Sequence, residues 1–178
     1  MNEEELLKKI KDVNSNFFGG SFAFMQISLS LIFLSKLIKI KMKKADQKML
    51  NSYMIIDTLV NLSKKQAEDF VSKDAEYFEK LKSLKKQNEI DDFVIKTFPL
   101  YIAFLENLAT IDLYLRGLIE DTHTSLKYDF IMIRDSMLIY YTNIIHIVEY
   151  MVNKSSNKDL KEEYFVKLFK LSKEIIGG

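Results

Sequence analysis

The most constraining feature of this sequence is a seam of mostly apolar residues that recur in alternating steps of four and three along residues 46–85. This spacing places every member on one side of an α-helix, whereas a strand requires alternation in steps of two. The pattern therefore predicts one long helix with a single buried side. Its members are Met49, Tyr53, Ile56, Val60, Ser63, Ala67, Phe70, Asp74, Tyr77, Leu81 and Leu84.

The rest of the chain also has helical periodicity. One proline and five glycines leave too few turn signals for a many-stranded β architecture. Pro99 lies inside a predicted helix and indicates a kink or a restart. We therefore predict a single all-α domain over residues 1–178, an up-and-down bundle of five to six long helices with the second and fifth at its centre. Besides 46–85, the predicted helices are residues 3–13, 20–42, 90–118, 126–153 and 160–176.

One segment, residues 14–35, carries no charge and approaches the length of a membrane span. Small and polar residues interrupt it, and acidic residues precede it, unlike the basic start of a signal peptide. Ser21, Ser28 and Ser35 recur every seven residues and place small groups on one face, where another helix can approach closely. We interpret this segment as a buried core helix.

Composition excludes several classes of function. The formal net charge is +1, which gives no global electrostatic reason to expect a nucleic acid or an anionic membrane as partner. Cysteine is absent and only two histidines occur, so thiolate chemistry is excluded and we expect no metal site. We predict a cytoplasmic protein.

Asp74 is the first candidate for chemistry, because every neighbouring seam residue except Ser63 is apolar or small. A carboxylate that faces a core is costly unless it is paired or hydrogen-bonded, and its displaced pKa then suits acid–base work. In the alternative interpretation the helix bends, Asp74 lies at the edge of the bundle, and a backbone group binds it. The pattern leaves both interpretations open.

Two further candidates lie at predicted helix starts. Asp129 begins the very apolar 126–153 segment, although the helix dipole alone favours an acid there. The Gly19-Gly20-Ser21 segment begins the uncharged helix. Two glycines and a serine can present backbone N–H groups and a hydroxyl to an oxygen-rich ligand, but Gly-Gly is also common in turns.

The remaining polar features are less specific. Five lysines in residues 36–44 are typical of a solvated face, with a site for a polyanionic tail as the alternative. His146 lies within an apolar helix, which favours a core or interface histidine over a metal ligand. His123 lies in a polar loop and receives no role.

Several segments, in this order and at these separations, resemble the cyclodeaminase / methenyltetrahydrofolate cyclohydrolase family, which includes the C-terminal domain of formiminotransferase-cyclodeaminase. The glycine-rich loop of that family is matched by Gly19-Gly20-Ser21, and its Asp-Ala-Glu-x-Phe box stands intact from Asp74 to Phe78. Phe98-Pro99-Leu100 is similar to the Val-Pro-Leu helix start of the family. Asp129 stands where the family has a second aspartate. The resemblance covers residues 4–153.

The resemblance implies that the protein binds a formimino- or methenyl-tetrahydrofolate as substrate and acts as a cyclohydrolase or a cyclodeaminase. Asp74 and Asp129 would then be catalytic, and Gly19, Gly20 and Ser21 would contact the folate. It also implies a homodimer, which the excess of apolar residues in the second and fifth helices independently favours.

One departure from the family pattern supports a different outcome. Phe17-Phe18 replaces the Pro-Gly that precedes the last two glycines of the family loop, and these two rings could fill the groove. The alternative function is therefore a catalytically inactive helical member that serves as a dimeric binding or structural protein.

Overall fold

The structure, a computed structural model, describes residues 8, 11–12, 19–123 and 125–176. The described residues contain five long helices and no strand, which confirms the all-α prediction. The predicted helix at residues 3–13 falls mostly outside the described residues, and Phe17-Phe18 lies wholly outside them. The helices are α1 (Gly19–Met42), α2 (Gln47–Ser83), α3 (Gln87–Glu120), α4 (Leu126–Asn153) and α5 (Lys158–Ile176).

Helices α1 to α4 form an up-down-up-down bundle in which each helix packs antiparallel to its sequence neighbour, and α4 returns to α1. Helix α5 packs across α3 and α4. The core side of α2 is the seam predicted from the sequence, which is buried at Tyr53, Ile56 and Val60 and at most of the following positions. Polar contacts between helices fix the arrangement: Ser35 with Asp57, Gln66 with Asn107, Arg134 with Asp112, and Ser30 with Ser136.

The predicted restart at Pro99 is wrong, because α3 runs through this residue as one helix. Proline removes one backbone donor, but the residues around it are held by packing. Phe98 is 1% exposed and stacks on Tyr164 of α5, with ring centroids 3.5 Å apart, while Tyr101 is 2% exposed. Burial on both sides of the proline therefore outweighs the lost hydrogen bond.

The second and fifth predicted helices, α1 and α4, each bury one side in the core of the bundle. Helix α1 buries Ser21, Ser28 and Ser35 as expected, but one of its faces and one stripe of α4 remain exposed. Both α1 and α3 are long and apolar enough to cross a membrane by length and composition alone. Within the fold, 61% of the most apolar part of α1 and 50% of that of α3 are buried.

Candidate functional site

A cavity of about 580 Å³ opens at one end of the four-helix bundle, where α1 begins and α4 ends. All four bundle helices contribute to its wall. Its lining is mainly aromatic and aliphatic, including Tyr77, Leu81 and Phe93. Among the described residues, the two buried side chains that present oxygen to the cavity are Asp74 from α2 and Tyr101 from α3. An apolar cavity with a few convergent polar groups is the usual form of a small-molecule site.

Gly20 and Asp74, which belong to separate sequence motifs, lie against each other at this cavity. A Cβ atom on Gly20 would overlap the Asp74 carboxyl group and would lie 3.0 Å from Cδ1 of Ile147. The neighbouring Gly19 is unrestricted, because a Cβ atom there would meet nothing within 4 Å. Position 20 therefore needs a residue without a side chain if the Asp74 carboxyl is to stay in place.

The Asp74 side chain is bound by a side chain from another helix, not by a backbone group as the structural alternative assumed. Asp74 is 7% exposed, and the Tyr101 hydroxyl donates a hydrogen bond of 2.8 Å to its Oδ1 atom. Burial raises the pKa of Asp74, and the hydrogen bond from Tyr101 opposes that rise. No hydrogen bond within the described part of the chain occupies Oδ2, the oxygen that lies against Gly20.

Tyr101 is a site residue that the sequence did not identify as one. Burial and the adjacent Asp74 carboxylate raise the pKa of its phenol, which therefore stays protonated and acts as a donor. In the sequence, Tyr101 has the same helical spacing as the many apolar residues on the buried side of its helix, so nothing distinguishes it from them. Its role depends on the pairing of α2 with α3, which helical periodicity does not specify.

The mouth of the cavity combines aromatic rings with positive charge. Phe78 and Tyr150 are partly exposed, and their ring centroids are 6.0 Å apart. The Lys82 ammonium lies 5.0 Å from the Phe78 centroid, and the Lys154 ammonium lies 4.9 Å from that of Tyr150. A planar group can stack at such a mouth. Lys82 lines the cavity and is also paired with Glu79, 3.3 Å away.

The structure does not bring all predicted site residues together. Gly19, Gly20 and Asp74 line the cavity, whereas Ser21 does not; its hydroxyl is fully buried without a hydrogen-bond partner among the described residues. Asp129 lies in the first turn of α4, about 27 Å along the helix from Ile147 at 1.5 Å per residue. Its position fits stabilisation by the helix dipole, and within one chain it cannot share a ligand with Asp74.

The histidines and lysines lie at the surface. His146 is exposed at the rim of the cavity, with Nδ1 3.0 Å from Glu149 Oε2. Of the two predicted positions, core or interface, the core position is therefore wrong, and the interface position stays a prediction. His123 is an exposed loop residue. The lysines of residues 36–44 lie mainly at the surface, as expected, and Lys39 is 3.7 Å from Asp57. Across the described ranges, no three His, Asp or Glu side chains form a group that could hold a metal.

Comparison of the chain with family models, curated proteins and solved structures finds no match.

Proposed function

We propose that this cavity binds a reduced folate that carries a one-carbon unit, and that the protein catalyses a methenyltetrahydrofolate cyclohydrolase or formiminotetrahydrofolate cyclodeaminase reaction. The observation that carries the proposal is the contact of Gly20 with Asp74 at one cavity. These residues belong to the two segments that most resemble the family, and the resemblance itself implies that both segments border the folate.

The chemistry of the cavity suits a cationic ring system. The methenyl bridge is a delocalised cation, and a buried carboxylate stabilises such a charge strongly because little water screens it. In the cyclohydrolase reaction, water adds to the bridge carbon, one proton leaves, and a carbon–nitrogen bond of the ring opens to give the formyl product. Asp74 would accept that proton at Oδ2, while Tyr101 holds Oδ1 in place.

Cyclodeamination places a different demand on the same carboxyl. There the ring closes as ammonia departs, so the leaving nitrogen must receive a proton. A raised pKa keeps more of the Asp74 carboxyl protonated near neutral pH than an ordinary aspartate would be. The same side chain can therefore act as the acid in one reaction and the base in the other.

A second candidate function, binding of such a ligand without catalysis, is favoured by one observation. Asp74 is the one carboxylate that lines the cavity among the described residues, since Asp129 lies at the other end of α4. If the reaction needs two carboxylates from one chain, the cavity would hold the ligand and leave it unchanged.

One assay separates these functions. Purified protein is mixed with methenyltetrahydrofolate, and the decay of its absorbance is compared with the spontaneous rate. We expect faster decay with the wild-type protein and a loss of about 100-fold or more in that rate enhancement with Asp74→Asn. The control is Asp69→Asn, an exposed α2 residue paired with Lys73, which should retain the activity.

The other outcomes are equally informative. Formiminotetrahydrofolate, assayed by ammonia release, tests the cyclodeaminase reaction. Saturable binding of either compound without turnover would support the second function. Failure of both compounds to bind would refute the proposal.

A further inference from the structure

Ring opening in the proposed cyclohydrolase reaction needs two proton transfers in opposite directions. After water has added to the bridge carbon, the new hydroxyl must lose a proton while the departing ring nitrogen must gain one. The Asp74 carboxyl cannot do both in the same step, and Tyr101 uses its one hydroxyl proton in the hydrogen bond to Asp74. The reaction therefore needs a further group that exchanges protons with the ligand.

His146 borders the same cavity from α4. The next residue, Ile147, lies beside Gly20, which also contacts the Asp74 carboxyl. His146 and Asp74 are therefore on two sides of the start of α1, at the end of the bundle where the cavity opens. The His146 side chain is 67% exposed, so it can exchange protons with solvent, and histidine is the side-chain type that both gives and accepts protons near neutral pH.

Glu149 holds the imidazole ring of His146 from one turn further along α4. Its Oε2 atom lies 3.0 Å from Nδ1. Because a carboxylate only accepts hydrogen bonds, Nδ1 is the donor, and Nε2 is the ring nitrogen that is left for a ligand. A carboxylate that orients a histidine through one nitrogen, while the other nitrogen exchanges protons, is a recurrent arrangement in acid–base catalysis.

We infer that His146 is a second catalytic residue at this cavity and that Glu149 positions it, an inference that rests on the proposed function. The imidazolium donates its Nε2 proton to the ring nitrogen as the carbon–nitrogen bond breaks and the electron pair of that bond moves to the nitrogen. Asp74, which has returned the first water proton to solvent, accepts the hydroxyl proton as the formyl C=O bond forms. Solvent then takes this proton from Asp74 and reprotonates His146, so each turnover releases one proton overall.

The alternative interpretation is an ordinary surface pair, because His146 and Glu149 are three residues apart on one helix. Exposed pairs of this kind contribute little to stability. Loss of a surface pair would leave the reaction rate unchanged, whereas loss of a proton donor would lower kcat without weakening substrate binding.

The chain has two histidines, so His123, in the loop between α3 and α4, provides the matched control. In the methenyltetrahydrofolate assay, we expect His146→Gln to lower kcat by about 100-fold or more, with KM within about twofold of the wild-type value. His123→Gln should change neither constant. Glu149→Gln should lower kcat less than His146→Gln does and should leave KM unchanged. Added imidazole should restore part of the rate in His146→Ala but not in Asp74→Asn, because it replaces the missing proton donor.

A second measurement needs no turnover. Tetrahydrofolate carries no one-carbon unit and cannot react, and its binding should shift the imidazole proton resonances of His146 in NMR spectra but not those of His123. An active wild-type protein whose His146→Gln variant keeps its kcat, or whose His146→Ala variant gains nothing from imidazole, would overturn the role of His146 and leave the proposed function standing. Bound tetrahydrofolate without a shift at His146 would have the same meaning. A wild-type protein that neither binds nor converts a folate would overturn both.

Discussion

The hydrogen bond between Tyr101 and Asp74 provides the sharpest test of the site, because Tyr141 is also buried but its hydroxyl has no hydrogen-bond partner among the described residues. We expect Tyr101→Phe to lower the free energy of unfolding by about 1–3 kcal/mol at neutral pH. The change removes the one hydrogen-bond donor, among the described residues, to a carboxyl that is 7% exposed. The control is Tyr141→Phe. The Tyr141 hydroxyl is buried without a hydrogen bond among the described residues, so its removal should leave stability unchanged or raise it.

The pH dependence of the Tyr101→Phe effect follows from the direction of the Asp74 shift. Burial places the folded-state pKa of Asp74 above its unfolded value, and the variant loses the bond that opposes this rise. The contribution of Asp74 to stability is therefore fully present below its ordinary pKa and is lost as pH rises through the folded-state pKa. That loss is larger in the variant, so the stability gap between the two proteins should be small near pH 4 and widest at neutral pH.

Urea unfolding, followed by circular dichroism at several pH values, measures both effects. If Tyr101→Phe and Tyr141→Phe lower the free energy of unfolding equally, the Tyr101 hydroxyl contributes no more to stability than the Tyr141 hydroxyl, and the reasoning is refuted. A gap that widens towards acid pH would contradict the assigned direction of the Asp74 pKa shift.

Three further predictions concern the same end of the bundle and the α1–α2 contact. Asp74→Asn removes a buried charge, so it should leave the free energy of unfolding at neutral pH unchanged or raise it by about 0.5–2 kcal/mol. This gain should vanish at acid pH, where Asp74 is protonated. A variant less stable to urea than wild type at pH 7 would contradict this prediction. Gly20→Ala should displace Asp74, lower the free energy of unfolding by roughly 1–3 kcal/mol and weaken ligand binding. Gly19→Ala should change neither property. Thermal melts measure the stability of both variants, and ligand titrations measure their binding. Ser28→Leu, at a site 6% exposed on the α1 side that meets α2, should cost roughly 1–3 kcal/mol through overpacking, and an unchanged urea midpoint would refute the close contact.

Much of the fold follows from periodicity alone. The α2 seam is buried from Tyr53 through Leu81 at most of its positions because steps of four and three specify one face of a helix whatever it packs against. The restart predicted at Pro99 is wrong for the opposite reason. Its local cost is real, but the buried rings of Phe98 and Tyr101 hold the helix together, and such packing partners are set by distant parts of the chain.

The candidate site is predictable only where a residue type is unusual for its position. Asp74 stands out because a carboxylate interrupts an apolar seam, but Tyr101 does not, since tyrosine is common on such seams. For the same reason, the sequence does not predict that both arginines of the chain bind the buried carboxylate of Asp112. Arg116 is one helical turn from Asp112, whereas Arg134 belongs to another helix. Only the pairing of α3 with α4 brings them together.

The energetics of the site argue that Asp74 has a role beyond folding. Asp112 is a buried acid balanced by two guanidinium groups, 2.6 and 2.8 Å away, which is how a structural carboxylate is normally accommodated. Asp74 receives one neutral donor, keeps an oxygen unpaired within the described chain, and requires a glycine at position 20. A bundle selected for stability alone would place an apolar side chain here. An acid that raises the cost of folding and faces a cavity is the arrangement expected where a ligand supplies the missing partner.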